Sequence, residues 1–496
     1  MARIPLRSPP SAVRTVISTG IAAIQSELGI SPDFSEEVRS AADAAARAPR
    51  LPTLDRTDLE FVTIDPPTAR DLDQALHIAE AGTGFLVHYA IADLAAFITP
   101  GDPIDLEAHR RGETLYGADM KVPLHPAVIS EDAGSLLPDQ VRPALLWSIQ
   151  VDETGEGTDI RVERALVRSR AQLDYAGAQA MIDAGEGPAT LRLLRRVGEL
   201  REGKERSRGG VSLPLPDQEI VAAGDRWNLE YRSPPPVEGW NAQISLLTGM
   251  GAAWLMLTAE VGLLRVLPPP ADSDVARLRR TAHALEIEWP ATQSYAEFVR
   301  GLDPSYADQA AMITSCTRLL RGAGYVGFVG TEPQQPRHSA LAAPYAHVTA
   351  PLRRLIDRYA LEICVSICAG VPVPEWVLEQ LSTLPEVMRE SSRRANAYER
   401  AVVDLVEAAL LQGRAGEEFR AVVVAVEDRD PRRGTVMVRE PAIEASVSSA
   451  TPLPLGADVM VRLTRADVDA RKVAFELAAV ETTSGGPSGS ATPGPH

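Results

Sequence analysis

Three aspartates, Asp65, Asp71 and Asp73, fall within nine positions of the stretch FVTIDPPTARDLDQALHI, residues 61–78. Carboxylates so close repel one another, so an apolar stretch gathers them only if something offsets the charge. No His or Cys stands among them, and hard oxygen donors suit Mg²⁺ or Mn²⁺ better than zinc. Asp71 and Asp73 do not begin an EF-hand loop, because Leu76 stands where that loop requires glycine. A helix N-cap or an Asx-turn explains any single aspartate, but each of those uses only one. An acidic cluster holding two divalent ions would activate water and stabilise the leaving oxygen in an in-line phosphodiester cleavage. Such a site also needs a cation for the charge developing on phosphorus and a surface, usually aromatic, that holds a strand end.

The elements that must position these groups can be read around them. Phe61–Ile64 is β-branched and apolar and reads as a buried strand, with Asp65 at its end. Asp71 and Asp73 then lie on a turn leading into a second strand. Residues 61 to about 175 are rich in strand patterns and residues 175 to 410 in helical ones, which argues for an α+β domain. The greasy segment at 244–259 is short of a membrane span and reads as a buried helix. After QGRAGEE the period returns to two, and about seventy residues supply a small five-stranded barrel of OB type. The division expected is a small helical segment over 1–50, a candidate helix-turn-helix, then a catalytic domain over 51–412. An OB-fold over 413–481 and a disordered tail over 482–496 complete it.

Composition narrows the setting. Of the 496 residues, 45% are hydrophobic and 24% charged, the makeup of a globular chain with a large core. The three cysteines are too few for a disulfide framework, and Cys364 and Cys368 sit in an apolar helical stripe as core thiols. A reducing, cytoplasmic location follows, with no membrane association and no export signal at the start. The net charge of −17 disfavours a nucleic-acid partner only if the cations are scattered. They cluster instead, in runs at 192–208, 277–280, 353–358 and 389–400, and only Lys121, Lys204 and Lys472 are lysines.

At longer range, TIDPPTARDLDQAL resembles the signature T-I-D-x-x-x-A-x-D-x-D-D-A of the ribonuclease II and ribonuclease R (RNB) family. VHYAIAD, GSLLPDQVRPAL, AQLDYAGAQAMI and YAHVTAPLRRLIDRYALEI follow in the family's order, and the terminal barrel stands where that family carries an S1-type RNA-binding domain. The resemblance implies an RNB catalytic domain, a mixed sheet with surrounding helices. It implies a monomeric, processive 3′-to-5′ exoribonuclease that acts on the 3′ end of single-stranded RNA. The products would be nucleoside 5′-monophosphates and the cofactor Mg²⁺, with Mn²⁺ able to substitute. Asp65, Asp71 and Asp73 match the metal and catalytic carboxylates, and Arg353 matches an arginine on the scissile phosphate, with Arg354 beside it. Tyr116 matches the aromatic that stacks against the 3′-terminal base, Tyr175 matches another tyrosine of the pocket, and Glu399 matches a glutamate near the RNA 3′ end. The departures are as informative. Gln74 stands where the family has a fourth aspartate ligand, so its amide oxygen would coordinate without charge. Ala350 replaces a serine, Gln243 and Gly249 interrupt an E-E-F-M-x-x-A-N pattern, and Leu215 stands where a stacking phenylalanine is expected. Fifty residues are also too few for the family's two cold-shock domains. These departures leave open a second outcome, an RNB-like scaffold that binds RNA with weakened catalysis.

Overall fold

The computed structural model describes residues 10–480 other than 119, 214–216, 224–225 and 233. Leu215 and the expected tail at 482–496 lie outside the described residues.

Strand β1 (Phe61–Ile64) is buried at every position. It pairs antiparallel with β2 (Gln74–Ala81) and parallel with β5 (Gly157–Leu173). Between these, β2, β3 (Gly84–Ala92), β4 (Val141–Val151) and β5 run antiparallel in turn, so the sheet closes into a barrel. Alternate residues of β4 serve two cores, as a period of two requires. Leu145, Trp147 and Ile149 pack outward with the helices, while Ala144 and Leu146 join Phe61, Ala165 and Val167.

The helix Pro236–Thr258 and the helix Leu355–Ala369 cover the outward face through Ile244, Leu247 and Met256 and through Ile356, Tyr359 and Ile363. The greasy segment therefore lies inside a core helix, and among the described residues no helix is long and apolar enough to cross a membrane. Gly249, one of the departures from the family pattern, has a physical reason. A Cβ there would come within 2.2 Å of the Tyr345 ring and 2.6 Å of the Ala346 carbonyl oxygen. The bare backbone lets residues 345–346 dock, and Ala346 N–H donates to the Gly249 carbonyl at 3.0 Å. Cys364 is buried as expected, but Cys368, at the end of its helix, is exposed rather than a core thiol.

The terminal strands β6 (Glu418–Val426), β7 (Arg433–Val438), β8 (Ile443–Ser448), β9 (Asp458–Asp467) and β10 (Lys472–Val480) close a second barrel in the order β6-β7-β8-β10-β9. Strict in–out alternation along β8 is the clearest sign of its half-buried position.

At the N-terminus, α1 (Pro10–Glu27) and α2 (Glu36–Arg47) pack on different partners rather than as a helix-turn-helix unit. Ile17, Ile21 and Ile24 of α1 join Tyr398, Val402 and Leu405 of the long helix Leu384–Leu411. Ala42 of α2 packs with Leu94, Ile104 and Ile129.

Candidate active site

The carboxylates owe their positions to the way β1 hands over to β2. Asp65 N–H donates to the Leu173 carbonyl at 2.9 Å, so Asp65 continues the parallel pairing one residue past β1. The loop then folds back through Leu72, which is fully buried and whose N–H donates to Ser135 Oγ at 2.9 Å. Asp71 and Asp73 flank this anchor. Asp73 is itself only 3% exposed.

Two groups from the far end of the domain meet Asp73. Leu352 N–H donates to Oδ1 at 2.7 Å, and Arg353 Nε stands 3.4 Å from Oδ2. Burial raises the Asp73 pKa to about 8, although Arg353 and the Leu352 amide pull it down. Burial likewise lifts Asp65 to about 6, with Arg353 lowering it and the Asp71 charge adding to the rise. The carboxylates thus feel one another and share one guanidinium.

Asp71 has a partner that sequence reasoning missed. Lys121 Nζ donates to Asp71 Oδ1 at 2.7 Å and lies 3.0 Å from Glu131 Oε1. Burial disfavours this ammonium, but its hydrogen bonds to Asp71 and Glu131 outweigh burial and raise its pKa. The rarity of lysine in an arginine-rich chain was the available signal.

The turn carrying Arg353 is held from three sides. Gln74 Nε2 donates to the Thr349 carbonyl, Ala350 N–H donates to Asp357 Oδ1 at 2.7 Å, and Leu352 N–H is on Asp73. None of these bonds needs a hydroxyl at position 350, so the turn keeps its shape with alanine. Asp357 is fully buried and also grips Arg354, whose Nη2 donates to Oδ1 at 2.9 Å. Arg354 is therefore committed to its own turn, whereas the Arg353 side chain is 48% exposed.

The aromatic positions fall around this centre. Thr114 N–H donates to the Arg353 carbonyl at 2.9 Å, and Tyr116, two residues on, is 40% exposed with its hydroxyl facing Arg353. Tyr175 opens a helix capped by Asp174, and its phenol is pushed up by burial and then by the Asp65 charge. Glu399 lies on the long helix and is raised by burial and by Glu113, so it faces a second acid rather than the aspartate cluster.

Asp65, Asp71, Asp73 and the Gln74 amide make an all-oxygen donor set. Among the described residues no three His, Cys, Asp or Glu side chains form a ready-made metal cage. The raised Asp65 and Asp73 nevertheless fit a divalent ion, since a dication supplies the compensation that burial denies them. Mg²⁺ usually keeps several waters and takes only one or two carboxylates, so a closed cage is not required.

Residues 54–367 match the RNB domain, and residues 417–478 match the RNase II-type exonuclease C-terminal S1 domain. The chain belongs to the RNB family. The exosome complex exonuclease RRP44 homolog A of Arabidopsis thaliana is 27% identical over 399 residues, covering 74% of this chain and 42% of that protein. The chain thus spans less than half of that relative's length. Among solved structures, Mycoplasma genitalium RNase R in complex with ribose methylated single-stranded RNA superposes with a TM-score of 0.82. The match has 19% identity and covers 93% of this chain and 78% of that one. Yeast Ssd1, a pseudonuclease, superposes with a TM-score of 0.70 at 15% identity, over 90% of this chain and 58% of that one. The RNB domain contains all of the candidate site residues except Glu399, which falls between the two matched domains.

Proposed function

We propose that this RNB protein is a divalent-metal-dependent exoribonuclease that shortens single-stranded RNA from its 3′ end and releases nucleoside 5′-monophosphates. The observation that carries this reading is the Arg353 guanidinium 3.4 Å from buried Asp73, with Asp65 inside the same field. Half-exposed Arg353 can hold Asp73 with its Nε edge and offer its remaining N–H groups to a scissile phosphate. Tyr116 offers an exposed ring beside it for the terminal base, and Tyr175 lines the Asp65 side. Asp65, Asp71, Asp73 and Gln74 would hold the metal. When bound, Mg²⁺ supplies a nucleophilic water and charge stabilisation at phosphorus. Mn²⁺, with the same preference for oxygen donors, would serve in its place.

A 5′-labelled oligoribonucleotide incubated with the protein and Mg²⁺ should give a ladder of shortening 5′-labelled fragments. Asp73→Asn should abolish it. The absence of a ladder in both Mg²⁺ and Mn²⁺, or equal degradation by the variant, would overturn the reading.

One arrangement favours a second reading, an RNA-binding protein with faded catalysis. Lys121 neutralises Asp71, and Asp73 already meets Leu352 N–H and Arg353, so two of the three carboxylates have protein partners while Gln74 brings no charge. Tight RNA binding with no turnover in either metal would establish that alternative.

A further inference from the structure

Tyr116, which faces Arg353, and Lys121, which holds Asp71, stand on one very small hairpin. Its strands, Leu115–Tyr116 and Lys121–Val122, have two residues each, with Leu115 opposite Val122. So short a pair does not keep its shape alone, and its surroundings must fix it. Those surroundings include the N-terminal segment, which contributes no residue to the site itself.

Leu115 and Val122 share a core with Ile17, Ile21 and Ile24 of α1 and with Tyr398 of the long helix, and Ala118 lies against it. Apolar burial is non-directional, so it holds the hairpin down without fixing where it points. Direction comes from Gln25 of α1, a polar side chain only 8% exposed. Its Nε2 donates to Tyr398 Oη at 3.3 Å and to Met120 Sδ at 3.7 Å. A glutamine buried beside an isoleucine stripe is costly unless such bonds offset it. The Tyr398 hydroxyl in turn stands against Gly117, where a Cβ would come within 2.9 Å of it and of the Met120 carbonyl oxygen. Gly117 N–H donates to that carbonyl at 2.8 Å and closes the turn next to Tyr116. The exit of the hairpin is gripped as well. Arg111 donates through Nη1 to the Pro123 carbonyl at 3.0 Å and through Nη2 to the Asp33 carbonyl at 2.8 Å. Its guanidinium lies 3.8 Å over the Phe34 ring, and Asp33 and Phe34 belong to the link between α1 and α2.

We propose that the N-terminal helical segment is the buttress of the pocket that receives the RNA end, with Gln25 the positioning residue that aims the Tyr116 hairpin. This rests on the reading of Tyr116 as the seat of the terminal base.

Oligoribonucleotides carrying 2-aminopurine at the 3′-terminal nucleotide or at an internal one test this in EDTA, where RNA is not turned over. Stacking on the parent protein should quench the terminal probe, and Tyr116→Ala should remove that quench. Gln25→Met keeps the side-chain volume and loses the donor, while Tyr398→Phe keeps the ring and loses the hydroxyl. One lost buried hydrogen bond changes an equilibrium about tenfold, enough to bring a hairpin held about ten to one in place to about even. The terminal quench at saturating protein should therefore fall by about half in each variant and no further in the double variant, with the internal probe unchanged. A full terminal quench in both variants, an equal loss at the internal probe, or additive losses in the double variant would each overturn the proposal. If Tyr116→Ala still removes the quench, such a failure leaves the exoribonuclease reading standing. A terminal probe indifferent to Tyr116→Ala would remove the seat, and the proposal with it, whereas the RNA ladder in Mg²⁺ judges the proposed function separately.

Discussion

Lys121 is the side chain with most leverage on the aspartate centre. Its ammonium occupies Asp71 at 2.7 Å, where a divalent ion would otherwise take the same oxygen. Lys121→Met should therefore tighten metal binding. The Mn²⁺ dissociation constant, read by electron spin resonance, and the Mg²⁺ midpoint of RNA cleavage should both fall about tenfold, for a partly solvated charge pair. An unchanged Mn²⁺ constant would show that the lysine and the metal do not compete. Arg353 works in the opposite sense, as the cation that the proposed reaction would use. Arg353→Lys keeps the charge but loses the planar fork, and it should cost about 10²-fold in kcat with RNA binding largely retained. A drop in affinity with kcat intact would instead make Arg353 a docking group. At this scale the sequence was informative about residue types and silent about partners. The spacing of Asp65, Asp71 and Asp73 is local and readable. The Lys121–Asp71 and Leu352–Asp73 contacts span 50 and 279 positions, which no local pattern encodes.

The turn from Thr349 to Arg354 is the element on which the centre depends. Its backbone is tied down by Gln74, Asp73 and Asp357, and Asp357 is the best buried of the three. Asp357→Ala removes an acceptor from Ala350 and strands the Arg354 charge. It should lower unfolding stability by about 3–5 kcal/mol in urea titrations, in the range for breaking a buried pair. A loss within experimental error would mean that Arg354 finds water instead. Other elements differ in how legible they were. Alternation along Ile443–Ser448 foretold the terminal barrel because each strand there has one wet face. Closure of the first barrel was not foretold, because it rests on β1 pairing parallel with β5 about a hundred residues later. The N-terminal helices were visible from their periodicity. Their docking partners were not, since an apolar stripe such as Ile17, Ile21 and Ile24 does not name the surface that covers it.

For the molecule as a whole, burial of ionisable groups sets how stability follows pH in the absence of metal. Asp73, Glu407 and Asp65 have folded-state pKa values raised to about 8, 7 and 6. Each holds its proton more tightly folded than unfolded, so its contribution is complete below the unfolded carboxylate pKa and lost as pH climbs through the folded value. His88, His125 and His338 are lowered to about 4, 3 and 4, chiefly by burial, so their contribution is present above the ordinary histidine pKa and lost on acidification. The two trends cross near pH 6. Melting temperature in EDTA should peak there and decline toward pH 8, and Asp73→Asn should flatten that alkaline decline. A curve rising from pH 6 to 8, or an unaltered slope in the variant, would contradict it. The bond between Leu352 and Asp73 has one more consequence, for the order in which the chain is made. A ribosome finishes the aspartate loop early and adds Arg353 nearly three hundred codons later. A growing chain therefore holds the acidic half of the centre alone through the synthesis of the whole intervening domain, and the arrangement around Asp73 closes only once the turn at 349–354 has been made.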